Sequence, residues 1–157
     1  MPDDILFIGI AQLAVVVAGF AAVASALAPS GTTWTPAHRI RLRAIVSTSF
    51  NVMFESLLPV ILFPALGNAR WSLVLASALV SIYVAAVVTI RGRQFARMNG
   101  FRARSAQVMF GASIGSLLLF ALNALIFGSP TAYALALCSQ LAVAAISFYT
   151  LVASATA

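Results

Sequence analysis

Residues 39–66 read RIRLRAIVSTSFNVMFESLLPVILFPAL, and this stretch decides the fold. Three arginines (Arg39, Arg41 and Arg43) open it, and an apolar run from Ala44 to Leu66 follows with a single carboxylate, Glu55, inside it. The run is long enough to cross roughly 30 Å of hydrocarbon as a helix of about 20 residues. In lipid each backbone polar group must find its partner within the segment, which makes the run a helix. Strands of a barrel would place a polar residue at every second position, and this stretch does not.

Outward from that stretch the pattern repeats. Apolar runs span approximately residues 5–28, 44–66, 71–90, 106–127 and 131–153. Hydrophobic residues make up 62% of the 157 and charged residues 8%, against about 25% charged in a typical soluble domain. Mean hydropathy is +1.06. The expectation is an all-α integral membrane protein, five transmembrane helices in one antiparallel bundle comprising residues 1–157. No segment between the runs is large enough to bury a core of its own. The formal charge of +6 does not point to nucleic acid, because the basic residues flank membrane spans instead of covering a soluble face.

The first run differs from a secretory leader. Asp3 and Asp4 precede it with no basic residue, and it is longer than the 7–15 apolar residues a leader carries. It is therefore read as a retained span.

Orientation follows from the arginines, which are all nine of the basic residues. Arg39, Arg41 and Arg43 lie between the first two runs, and Arg91, Arg93, Arg97, Arg102 and Arg104 between the third and fourth. Only Arg70 falls on the other side. Short arginine-rich loops stay cytoplasmic, so the expected topology has the amino terminus outside and the carboxyl terminus in the cytoplasm. The outer connections, Gly67-Asn68-Ala69 and Gly128-Ser129-Pro130, are short enough to force tight hairpins. Thr35-Pro36 reads as a cap with a first-turn proline, and Asn99-Gly100 as the end of the third helix. At a constant offset of 61 Arg41 falls on Arg102, Arg43 on Arg104 and Gly67 on Gly128. Residues 39–91 and 100–152 are thus candidates for two copies of one hairpin, an organisation common in transporters.

Glu55 is the residue that invites a functional reading. It lies some 16 Å along the helix from Ala44, near the bilayer midplane. An ionised side chain there costs about 2.5–3.5 kcal/mol on insertion scales, so it should face protein or water. Pro59 has no N–H to return to the Glu55 carbonyl, and Pro64 stands in the same relation to Val60. The helix is expected to kink at Pro59 and Pro64. Asn51 and Thr48 lie one and two turns back from Glu55 on the same side, and Gln140 on the fifth helix lies at similar depth. Gln12 and Asn123 lie nearer the outside. These six residues suit an ion or proton pathway in which the carboxyl is alternately protonated. The bland alternative is a neutral Glu55 bonded to Asn51 or Gln140, serving only to hold helices together.

Small residues at Gly111, Gly115 and Ser116 on the fourth helix, and at Ala18, Gly19 and Ala22 on the first, would allow close helix approach, by default within the bundle. His38, Arg39, Arg41, Arg43, Arg91, Arg93, Arg97, Arg102 and Arg104 sit at headgroup level, where they either bind anionic lipid or act as plain topogenic charge. His38 is the only histidine and Cys138 the only cysteine, which disfavours a metal site and any nucleophile–base pair. Phosphate-cradling glycine loops are absent, and neither cofactor nor catalysis is expected. The leading expectation is a homo-oligomeric channel or transporter for small ions with polar groups near Glu55. The alternative is a non-catalytic structural or adaptor subunit of a larger membrane complex. An arginine-only basic set and abundant alanine suggest a bacterial inner membrane.

Overall fold

The computed structural model describes residues 3–26, 36–97 and 104–155, and they are all helical apart from the turns. Five α-helices follow in order: α1 (Asp4–Ala26), α2 (Pro36–Leu66), α3 (Ala69–Arg97), α4 (Arg104–Leu122) and α5 (Pro130–Ala155). A single π-helical turn, Asn123–Phe127, continues α4 toward α5. All five helices are long and apolar enough to cross a membrane, over Asp4–Val23, Leu42–Leu66, Ala69–Ile90, Phe110–Phe127 and Pro130–Val152.

The local signals act where the sequence places them. Asp4 puts a carboxylate in the first turn of α1, where the helix dipole favours it. Proline opens α2 and α5, a position that needs no N–H. α2 runs unbroken through Pro59 and Pro64 to Leu66. Gly67 (φ 63°) then turns the chain, and Gly128 (φ 55°) does so before α5. Both take the left-handed conformation that costs other residues about 1–2 kcal/mol. Residues 27–35 and 98–103, including the expected cap at Thr35 and helix end at Asn99-Gly100, lie outside the described residues.

α2, α3, α4 and α5 close a ring, each packing on the next and α5 returning to α2. α1 lies in the groove between α2 and α5. The main core gathers Phe7, Ile10 and Ala14 from α1, Val52 from α2, and Leu73, Ala76, Val80 and Val84 from α3. Phe120 of α4 and Tyr133, Ala136 and Leu137 of α5 complete it. A smaller cluster joins Ala21, Ile45 and Leu151 near the other end of α1, α2 and α5. Hydroxyls on the spans are mostly satisfied by their own helix: Ser81 donates to the Ser77 carbonyl, Thr89 to Ala85 and Ser147 to Val143. Such back-bonding lets serine enter hydrocarbon without a partner helix.

One packing expectation is corrected. Gly111 is exposed, and nothing lies within 4 Å of where a Cβ would stand on Gly111 or Gly115. Ser116, a further 100° around the helix, is the residue α4 turns inward. On α1 Ala18 is buried while Gly19 and Ala22 face out. Among the described residues, Gly111 and Gly115 bring no neighbour close, and Ser116 alone of the three packs on α5.

Candidate functional site

Glu55 faces the interior of the bundle and is only 6% exposed. Its position in α2 is about 20 Å by helical rise from Leu42 and about 17 Å from Leu66, the ends of its span. Gln140 of α5, 9% exposed, donates from Nε2 to Glu55 Oε2 at 2.8 Å. Glu55 Oε1 is buried and has no hydrogen-bond partner. One carboxyl oxygen is therefore oriented by an amide, and the other is an open acceptor.

The backbone of the same residue is also engaged. Pro59 cannot donate to the Glu55 carbonyl. The Tyr133 hydroxyl of α5 donates to it instead, at 2.6 Å. Tyr133 is fully buried, and its ring meets Phe7 of α1 edge-on at 5.6 Å and Phe120 of α4 at 5.1 Å. These are the favoured geometries for aromatic pairs. α5 thus holds α2 at two points, one on the Glu55 side chain and one on the carbonyl that proline frees. Tyr133 was not among the residues expected from sequence, although a proline-freed carbonyl in lipid demands a donor.

Ser49 was missed as well. It is fully buried on α2, and its hydroxyl has no partner. It lies six residues before Glu55, about 9 Å nearer the arginine-bearing end of the helix. Ser147 of α5 is buried too.

The remaining candidates are scattered. Thr48 and Asn51 are half-buried, and neither bonds to Glu55. Asn123 is fully buried, but its contacts are with the turn before α5 and with α3. Its Oδ1 accepts from the Ser129 N–H at 2.8 Å, and its Nδ2 donates to Ser77 Oγ at 2.9 Å. Its carbonyl accepts from the Gly128 N–H at 2.8 Å, closing the π turn. Gln12 is exposed on the outward side of α1. Arg43 and Arg93 are exposed, while the side chains of His38, Arg39, Arg41, Arg91, Arg97, Arg102 and Arg104 lie outside the described residues. Among the described residues no three His, Cys, Asp or Glu side chains come together. Two surface clefts, of about 380 and 250 Å³, are lined by Leu42, Arg43, Val46 and Ser47 and by residues around Arg70 and Gly128. Neither includes Glu55.

Five helices able to span a membrane, packed around one buried carboxyl, define a small multi-pass membrane protein. No protein-family model, curated protein or solved structure matches the chain.

Proposed function

We propose that the protein moves a proton or small monovalent cation across the membrane, with Glu55 as the group that takes it up. The observation that carries this reading is the unequal pair of carboxyl oxygens: Gln140 fixes Oε2, and Oε1 is buried and open. An ionised carboxylate at this depth is costly, and a proton or cation on Oε1 relieves that cost. Ser49, a buried hydroxyl without a partner toward the arginine-bearing end of α2, offers a relay point. Glu55 faces the inside of one protomer instead of an outer surface, which favours a carrier that exposes the site alternately over an open pore between copies.

In this proposal the amino terminus is outside, the arginine-rich connections and the carboxyl terminus are cytoplasmic, and neighbouring helices run antiparallel. Residues 39–91 and 100–152 are two copies of one hairpin, a view supported by the positive-φ glycines 61 residues apart. The membrane is taken to be a bacterial inner membrane on composition. No catalytic chemistry and no cofactor are assigned.

The test is flux in liposomes. Wild-type protein, reconstituted and given a pH gradient or a sodium or potassium gradient, should dissipate one of them. Glu55→Gln should abolish that flux while keeping the helical content and elution of the wild type. Absence of wild-type flux under all three gradients, with a stoichiometric membrane partner co-purifying in mild detergent, would replace this reading with the adaptor one.

A further inference from the structure

Gln12 is a polar group that neither the bundle nor the Glu55 site uses. It stands about 12 Å along α1 from Asp4, in the middle third of the Asp4–Val23 span. It is exposed and has no hydrogen-bond partner among the described residues. Its neighbours on that face are apolar and outward: Ile5 is 87% exposed, Leu13 56%, Val16 49% and Val23 54%. A primary amide in hydrocarbon has two donors and one acceptor oxygen to satisfy, and lipid tails offer nothing.

We infer that Gln12 is the centre of an interface with a second copy of this chain, formed by α1 against α1. The amide decides the occupant, because it both donates and accepts. Across a two-fold axis two Gln12 side chains satisfy each other reciprocally, the self-complementary pattern of an isologous dimer. The spacing agrees. Ile5, Gly9, Gln12, Val16, Gly19 and Val23 follow steps of four and three, the seam of a left-handed helix pair. Polar side chains on such seams join membrane helices by hydrogen bonds, and one at a single position fixes register. Gly19 lies one heptad from Gln12 with nothing within 4 Å of its Cβ position, which leaves room for the partner backbone. The inference is independent of what Glu55 carries.

The experiment uses the full chain in liposomes, labelled at the carboxyl terminus, with self-association followed by energy transfer as lipid dilutes the protein. Wild type should associate, and Gln12→Leu should weaken association about 3- to 20-fold, the range measured for hydrogen bonds between membrane helices. Gly19→Leu has space in the protomer and should weaken association while unfolding at the wild-type denaturant concentration. In a Cys138→Ala background, Gln12→Cys should cross-link to a dimer and Gly111→Cys on α4 should not. A monomer at every dilution, unchanged association in Gln12→Leu, or cross-linking through position 111 alone would overturn the inference. So would Gln12-dependent pairing only with a different protein.

Discussion

The two helix pairs, α2–α3 and α4–α5, share a frame and differ in what fills it. Gly67 and Gly128 stand 61 residues apart, and both turn the chain with positive φ. Asparagine serves both turns by different routes. Asn68 is exposed and local, its Oδ1 accepting from the N–H groups of Arg70 and Trp71 at 3.0 and 3.2 Å as a helix cap. Asn123 is buried inside the helix before the turn, and it holds the turn, a π-helical ring and α3 at once. Deeper in the bundle the contrast concerns charge. At the offset of 61 Glu55 corresponds to Ser116, and Pro59 to Phe120. Ser116 makes one long bond to the Ala136 carbonyl, at 3.3 Å, whereas Glu55 engages α5 through both side chain and backbone. The first pair carries the carboxyl of the proposed function, and the second supplies the Gln140 and Tyr133 that hold it and a rigid turn.

The turns break the comparison most sharply. Gly128→Ala should cost about 2–4 kcal/mol, because a Cβ there meets Arg70 Cγ at 2.9 Å and Val74 Cγ2 at 3.2 Å on top of the φ strain. Gly67→Ala meets open space and should cost only the strain, about 1–2 kcal/mol. Denaturant unfolding in detergent, read by circular dichroism, measures both, and equal losses would remove the asymmetry. Next in size is Asn123→Leu, which leaves the Ser129 N–H and Ser77 hydroxyl without their partner. It should lose about 1–3 kcal/mol, and Asn68→Ala about 1 kcal/mol. The same unfolding assay ranks them.

Tyr133→Phe removes one bond and keeps both ring contacts. A loss of about 0.6–1.7 kcal/mol in that assay is expected, with the flux proposed for Glu55 retained. The smallest effect belongs to Ser116→Ala, below about 0.6 kcal/mol and without change in flux. A flux defect in Ser116→Ala equal to that of Glu55→Gln would mean that the two pairs share the pathway.

Much of this frame was legible in the sequence, for reasons of length and solvent. The apolar runs and their glycine breaks mark five helices because lipid leaves no other structure for them. Glu55 and Gln140 could be matched by depth alone, since helical rise is fixed. Facing was harder to read. α1 is apolar on every side, so nothing in its pattern says that Gln12 looks outward and Ala14 inward. Asn123 looks like a pathway residue in a polar tally, but its role depends on a π turn that no residue spacing announces. Tyr133 leaves a trace only in retrospect, as the donor that Pro59 makes necessary.

In the proposed function the Glu55 carboxyl reversibly takes up a proton or cation inside a packed protomer. Infrared difference spectroscopy on reconstituted protein, cycled between two pH values and then between low and high sodium or potassium, reads that carboxyl directly. A reversible carboxyl band, absent from Glu55→Gln, is the expected result. A folded wild type whose carboxyl signal responds to neither pH nor cation would contradict it.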